Sequence, residues 1–439
     1  MHIDLSIERL GPAKIKSPLK LSHVFGDKMV NYVPDGERVL YDTSLNTCKT
    51  CIEGKTKEEP LSFEKAGPRE LLYFDSSKVR VGMVTCGGLC PGINNVIRAL
   101  VMELYYRYGV RHIHGFRYGF AGLAPECGYD VVDLTPNKVK DIHHDGGSFL
   151  GSSRGARDPE TMVDTLERMG IGILFTIGGD GTQRGALALH KEIMKRKLKI
   201  AIIGVPKTID NDILLVEKTF GFDTAFSIAI QAIRAAHTEA EGYPNGVGLV
   251  KLMGRHSGYI ASAAAVAEAD VNCVLIPEIP FRMDGEKGLL SWLEGRLKER
   301  GHAVIVTAEG AGQDLMAPGA ERDPSGNIRL QDIGMFLKHE ISKGLNEAGV
   351  QHSLKYIDPS YIIRSTAANP NDSLFCTNLA QNAVHAGMSG RTGMLVGLWN
   401  NIFTHVPIRE AVAGRKTVDP EGELWRSVLE STGQPPVWQ

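Results

Sequence analysis

Within seven residues, Pro206-Lys207-Thr208-Ile209-Asp210-Asn211-Asp212, the chain places a cation, a hydroxyl and two carboxylates directly after the apolar run Ile200-Ala201-Ile202-Ile203-Gly204-Val205. A β-branched run of this kind reads as a buried parallel strand, and in open α/β sheets ligands gather where such strands end. Two acids one residue apart cannot both face a core cheaply, so at least one of Asp210 and Asp212 is expected to face a ligand or a metal ion. The bland alternative is an Asx-rich turn that caps the next element.

Two glycine loops repeat the arrangement. Gly87-Gly88-Leu89-Cys90-Pro91-Gly92 follows the β-like run Val79-Arg80-Val81-Gly82-Met83-Val84, and Gly178-Gly179-Asp180-Gly181-Thr182 follows Ile171-Gly172-Ile173-Leu174-Phe175-Thr176-Ile177. Each precedes a stretch with apolar residues at helical spacing, from Ile93 to Tyr108 and from Gln183 to Arg196. A loop in that position exposes backbone N–H groups at the positive end of a helix, where phosphate is stabilised without any side chain. Neither loop is a GxGxxG fingerprint or a GxxxxGK[ST] loop, which weighs against a nicotinamide enzyme and a Walker-type ATPase. Asp180 would repel phosphate unless a cation intervened, so it is a candidate Mg²⁺ partner, with a helix N-cap as the alternative. A third loop, Gly146 to Gly155, is rich in glycine and hydroxyl groups and contains Arg154, whose fixed forked charge suits a transferring phosphoryl group.

The elements that must position these groups follow from the pattern. Further strands are expected at Gly246 to Leu252 and Ala303 to Thr307, and strand–helix alternation implies right-handed crossovers and parallel sheets covered on both faces. At 439 residues with 43% hydrophobic content, the chain is expected to form two stacked α/β domains. Residues 1–77 differ in texture and read as an N-terminal extension, packed on its own core or around a neighbouring subunit. Residues 78–221 with 365–410 are expected to form one α/β domain and 222–364 the other; 411–439, with Trp425 and Trp438, forms a C-terminal segment whose resting place the sequence leaves open.

Composition narrows the function classes. The 49 basic and 51 acidic residues nearly balance and form no basic block, which argues against nucleic acid as a partner. No long apolar run or export signal is visible, so a soluble, unexported, cytoplasmic protein is expected. Seven irregularly spaced cysteines suggest a reducing compartment, and the lone CxxC of Cys48 and Cys51 has no second pair with which to build a zinc site. No histidine spacing assembles a nucleophilic triad. His143, His144 and His256 are therefore assigned to packing or surface roles.

These loops, with Met253-Gly254-Arg255, Ala308-Glu309-Gly310 and Tyr361-Ile362-Ile363-Arg364 in the same order, resemble the phosphofructokinase family over roughly residues 79–400. The likeness is greatest to its long-chain ATP-using branch, which is akin in sequence to pyrophosphate-using enzymes. The resemblance implies two Rossmann-like three-layer domains and a glycolytic kinase that moves the γ-phosphoryl of MgATP to the 1-hydroxyl of fructose 6-phosphate. By the same resemblance, Gly88, Arg154, Gly155 and the loop Gly179, Asp180, Gly181 and Thr182 hold nucleotide phosphates, with Asp180 serving Mg²⁺. Lys207, Thr208 and Ile209 line the reacting centre, Asp210 takes the hydroxyl proton, and Asp212 supports the metal or the loop. Met253, Gly254, Arg255, Glu309, Lys355, Tyr361 and Arg364 bind the sugar phosphate. An allosteric homotetramer is implied, with a dimer as the fallback. Effectors leave no local signature.

The resemblance makes donor choice hang on Gly181 and Lys207. Pyrophosphate users carry Asp at the first position and Lys at the second, whereas most short bacterial ATP users have glycine at both. An Asp at 181 would set charge where the α-phosphate passes, and like charges 4 Å apart repel by about 4 kcal/mol at an effective dielectric of 20. ATP is therefore the expected donor and pyrophosphate the runner-up. Gly246, Lys355 and Tyr361 depart from the short bacterial pattern. Gln183 and Arg184 could approach the nucleotide, and Phe120 could flank adenine or fill a core. Other readings are a sugar-phosphate-binding regulatory paralogue without turnover, and the NAD or diacylglycerol kinases, which share the Gly-Gly-Asp-Gly-Thr loop but lack the later motifs.

Overall fold

A computed structural model describes residues 3–45, 60–317 and 330–438. Cys48 and Cys51 lie outside the described residues. The chain divides into two compact units: one comprises Met1–Thr208, Ile213–Gly221 and Thr366–Arg415; the other comprises Ile209–Asp212, Phe222–Ser365 and Lys416–Gln439.

The first unit is built on a nine-stranded sheet. Its centre is parallel and runs His112–Phe116, Arg80–Thr85, Ile171–Gly178, Ala201–Pro206, Met394–Trp399. These strands are nearly continuous apolar runs because helices such as Ile93–Met102, Asp180–Lys195 and Pro370–Met388 cover both faces; Val81, Ile173, Phe175, Ile202 and Ile203 are fully buried. Chain order moves from Arg80–Thr85 outward to His112–Phe116, then back across to Ile171–Gly178. The direction of winding therefore reverses between the strands that end at Thr85 and at Gly178, and ligands of open α/β sheets bind at such a switch point.

The expected N-terminal extension belongs to this unit. Ser62–Lys65 pairs antiparallel with Ile402–Pro407, and Arg38–Leu40 pairs with Ser62–Lys65 in turn. A buried ion cluster fastens the join: the Glu64 carboxylate accepts from Arg391 Nε, from Arg69 Nη2 at 3.2 Å and pairs with His405 Nδ1 at 3.1 Å. Burial alone would raise the Glu64 pKa, but His405 and Arg391 outweigh it and hold the carboxyl well below its usual range.

The second unit carries four parallel strands in the order Cys273–Leu275, His302–Ala308, Gly246–Leu252, Ser353–Ile357. Helices Leu289–Arg300 and Ile333–Glu347 bury Leu293, Leu297, Leu337 and Ile341 with Val247, Leu249 and Ile305 in one cluster. Helix Phe222–Glu241 packs on the same sheet at such close range that a Cβ on Gly246 would lie 1.9 Å from the Ala240 carbonyl oxygen. That approach gives Gly246 a physical reason, where the short bacterial pattern has arginine. Here the winding reverses between the strands ending at Leu252 and Ala308.

From Lys416 onward the C-terminal segment is part of this second unit. Helix Glu423–Thr432 buries Trp425, Trp438 joins the core cluster, and Gln434 Oε1 accepts from Val274 N at 2.6 Å. The segment Ile209–Asp212 also groups with the second unit, so besides the division between Gly221 and Phe222 there is one inside the acidic motif.

Stability should depend on pH through His385. Its Nδ1 shares a 2.7 Å hydrogen bond with the Tyr108 hydroxyl, and burial, then the charges of Arg69 and Arg107, push its pKa down to about 3. The folded pKa lies below the unfolded value of about 6.5, so this contribution is intact above pH 6.5 and is lost as pH falls toward 3. At pH 5 the loss from this group is about 2 kcal/mol. His385→Gln removes the titration. The stability gap between wild type and variant, measured by urea unfolding, should therefore narrow by about that amount between pH 7.5 and 5; a constant gap would contradict the assignment.

Candidate active site

Three sequence-distant motifs converge at the switch point of the first unit. The Lys207 side chain is 4% exposed, and its Nζ donates to the Gly88 carbonyl at 2.7 Å. A Cβ on Gly87 would stand 3.8 Å from Lys207 Nζ and 3.9 Å from Thr182 Oγ1. Gly87 has φ +87°, a left-handed conformation that suits glycine. The third loop is tied to the same place, because Gly87 N donates to Ser153 O at 3.0 Å and Ser152 Oγ donates to Gly87 O at 2.6 Å. Arg154 and Gly155 follow as exposed residues, and Arg154 makes no ion pair among the described residues.

Asp180 is the first residue of helix Asp180–Lys195, and the N-cap is Gly179. The capping alternative is thereby set aside, and the carboxylate lies where the helix dipole favours negative charge. Its Oδ2 faces Arg184 Nε at 3.2 Å and Arg415 Nη2 at 3.4 Å. Its Oδ1 is buried without a hydrogen-bond partner among the described residues. A buried carboxylate oxygen without a donor is costly, and a hard cation that takes oxygen ligands relieves that cost. The residue thus fits Mg²⁺. Beside it, a Cβ on Gly181 would meet nothing within 4 Å among the described residues.

After Lys207 the chain runs through Thr208, whose carbonyl accepts from Thr219 Oγ1 at 2.7 Å, into the buried Ile209 and the half-buried Asp210. Asn211 takes φ +53°, which turns the chain sharply. Asn211 and Asp212 are buried, and the Asp210 carbonyl accepts from Ser257 Oγ at 2.8 Å. That serine lies two residues beyond Arg255, so the acidic turn is fixed to the loop that carries Met253, Gly254 and Arg255.

In the second unit that loop lies against Glu309-Gly310 at the switch point. Glu309 N donates to Leu252 O at 2.9 Å and Gly310 N to Gly254 O at 3.1 Å. A Cβ on Gly254 would approach Ser257 O to 2.5 Å and one on Gly310 would approach Arg255 O to 2.0 Å. Burial raises the Glu309 pKa, opposed by the charges of Arg255, Lys251 and Arg364. Arg364 stacks over the exposed ring of Tyr361, with Cζ 4.5 Å from its centroid. Guanidinium groups beside an acid can hold a phosphate and a sugar hydroxyl together. Lys355 stands apart from this group. It pairs mid-strand with Gly248, and its Nζ lies 5.0 Å from the Tyr243 ring centroid, toward the other end of the sheet.

The profile of the family described as "Phosphofructokinase" matches residues 80–387. The chain is 47% identical to an "ATP-dependent 6-phosphofructokinase" of Borreliella burgdorferi over 99% of its own length and 97% of that protein. It is 48% identical to the protein of the same name from Amycolatopsis methanolica, over 99% and 96% of the two chains. The chain belongs to the phosphofructokinase family. Among solved structures, the fold is similar to a pyrophosphate-dependent phosphofructokinase from Marinobacter aquaeolei, with TM-score 0.66 and 21% identity over 82% of this chain and 92% of that one.

Burial and contacts then place the other side chains considered from sequence. Gln183 is fully buried, and its Nε2 donates to the Gly178 carbonyl at 3.0 Å, so it supports the loop from beneath instead of approaching a nucleotide. Phe120 is 6% exposed in the core, against Gly185, which removes it from the adenine role. Arg184 is the i,i+4 partner of Asp180. His143 and His144 pack on each other with ring centroids 3.9 Å apart. Sequence reading missed Arg415, which reaches Asp180 from 235 residues downstream, and Lys251, which bonds Asp332 at 3.0 Å and Asp358 at 2.9 Å. A lysine inside an apolar strand was the one available signal for Lys251; nothing local marked Arg415.

Asp180→Asn should weaken Mg²⁺-dependent nucleotide binding by about tenfold or more, since a charged contact is replaced by a neutral one. Calorimetric titration of ATP with and without Mg²⁺ measures it. Equal affinity in wild type and variant would remove Asp180 from the metal.

Proposed function

We propose that this chain is an ATP-dependent 6-phosphofructokinase: it transfers the γ-phosphoryl group of MgATP to the 1-hydroxyl of D-fructose 6-phosphate and releases fructose 1,6-bisphosphate and ADP. The observation that carries the choice of donor is the open space at Gly181 in the first turn of a helix. The relatives at 47% and 48% identity bear the same name.

Each motif has a physical task in that reaction. The amides of Gly88 and of Gly179 to Thr182 hold the phosphates, Lys207 neutralises them from below, and Arg154 with Gly155 lies on the loop tied to Gly87. Asp180 would hold Mg²⁺, which supplies charge neutralisation on the phosphates when bound. The Asp210 carboxylate accepts the proton of the 1-hydroxyl, with Thr208 and Ile209 shaping the approach and Asp212 buried behind the turn. Arg255 and Arg364 bind the 6-phosphate, while Met253, Gly254, Glu309 and Tyr361 orient the sugar. Phosphoryl transfer has a loose transition state, so positioning and charge stabilisation carry most of the catalysis. Lys355 faces away from that cluster within its own unit, which supports placing its sugar-phosphate contact in an oligomer, and we assign a homotetramer. The free cysteines Cys86, Cys90, Cys127, Cys273 and Cys376 support a reducing, cytoplasmic setting, and no helix among the described residues is long and apolar enough to cross a membrane.

Lys207 keeps pyrophosphate as the second reading, since a buried ammonium serves any phosphate. A coupled assay with fructose 6-phosphate and either ATP or pyrophosphate separates the two: faster turnover with pyrophosphate would reverse the assignment. Gly181→Asp should leave the fold intact, because the new Cβ meets open space, yet depress ATP-dependent kcat/KM by about 10²-fold or more through repulsion of the α-phosphate. Asp210→Asn should lower kcat by at least about 10² with little change in KM for the sugar phosphate. Near-normal turnover in that variant would exclude Asp210 as the base.

A further inference from the structure

Helix Phe222–Glu241 of the second unit carries His237 and Glu241 four residues apart, hence on one face of its last turns. Facing them, helix Leu289–Arg300 ends at Gly301, whose left-handed φ of +76° turns the chain directly into the strand His302–Ala308. His302 is the first residue of that strand. One ligand atom from each of His237, Glu241 and His302 lies within 4.8 Å of the others. A cavity of about 400 Å³, lined by Glu241, Tyr243, Arg300 and His302 among others, adjoins two of the three. This is the end of the sheet remote from Leu252 and Ala308, so the cluster is separate from Arg255 and Glu309.

Ordinary ion pairing leaves the cluster poorly explained. His237 Nε2 is 3.5 Å from Glu241 Oε1 and its Nδ1 is 3.6 Å from Asp270 Oδ2, both beyond good hydrogen-bond range. The His237 and His302 rings stand 5.4 Å apart at 50°, side by side without stacking. Two imidazoles and a carboxylate around one point are a donor set for a borderline-soft divalent ion.

We propose that His237, Glu241 and His302 form a Zn²⁺ site, three protein ligands with a fourth position open to the cavity. Zn–N and Zn–O bonds of about 2.0–2.2 Å set tetrahedral ligand atoms about 3.3 Å apart. The side chains of His237, Glu241 and His302 are partly or fully exposed and reach that spacing by small torsional changes. Asp270 stands behind His237 on the Nδ1 side, where accepting the Nδ1 proton leaves the Nε2 lone pair for the metal. Both helices present their C-terminal ends here, and the partial negative charge of their last carbonyls favours a cation. Arg300, at the rim, opposes it, although its Nε lies toward Glu299 at 3.6 Å. Imidazole donors discriminate against Mg²⁺, so this site and Asp180 take different ions.

The test is a calorimetric Zn²⁺ titration of chelator-stripped, full-length protein in nucleotide-free buffer, with Co²⁺ absorption as the probe of geometry. The expected result is one Zn²⁺ per chain at micromolar or tighter affinity and the intense visible bands of tetrahedral Co²⁺. His302→Asn and His237→Asn should each weaken binding by at least about 100-fold, and Asp270→Asn by about 10- to 100-fold, with circular dichroism and Mg²⁺-supported phosphotransfer unchanged. If His302→Asn does not fold, Glu241→Gln takes its place, with a loss of about 10-fold or more expected. No saturable binding by the wild type, or undiminished binding in the histidine variants, overturns the proposal.

Discussion

Close approach at glycine holds the ends of the parallel strands, and the rest of the site depends on that contact. A loop can fold tightly against its own strand only where no side chain intervenes, and glycine provides that at both switch points. A Cβ on Gly178 would lie 2.1 Å from Thr182 Oγ1, and one on Gly310 would lie 2.0 Å from the Arg255 carbonyl oxygen. Both sheets therefore end in loops folded down onto themselves, and the side chains of Lys207, Asp180, Arg255 and Glu309 project from surfaces with little freedom to shift.

Charge balance is the second layer. Lys207 and Asp180 are mostly shielded from water, and each is stabilised by a fixed local partner: the Gly88 carbonyl for the ammonium, a helix N-terminus and two arginines for the carboxylate. In such a low-dielectric setting each charge interacts with its neighbours more strongly than it would in solvent. The same logic operates in reverse at the far end of the second sheet. There helix C-termini replace N-termini and histidines replace amides, so the local field that elsewhere attracts an anion attracts a cation.

Much of this was legible along the chain because the informative residues are contiguous. The strand at Ala201–Pro206 followed by Lys207 to Asp212, the loop Gly178 to Thr182 and the loop Met253 to Arg255 each combine a local strand pattern with glycine that has no reason to stand there except close approach. Gln183 and Phe120 were harder, since a first-turn polar residue and a loop aromatic carry the same sequence signal whether they face a ligand or a core. Burial decided against the ligand in both cases.

The order of residues by itself determined the alternation of strand and helix, the glycine loops at their junctions, and the family whose motifs those loops match, because each is a property of short contiguous stretches. Only the tertiary structure decided that Arg415 reaches Asp180, that Lys251 lies between Asp332 and Asp358, that Lys355 faces Tyr243, and that His302 meets His237 and Glu241. Those pairings join residues far apart in the chain, and they are set by which strands lie side by side and which helix ends meet, a choice made by burial of the two cores as wholes.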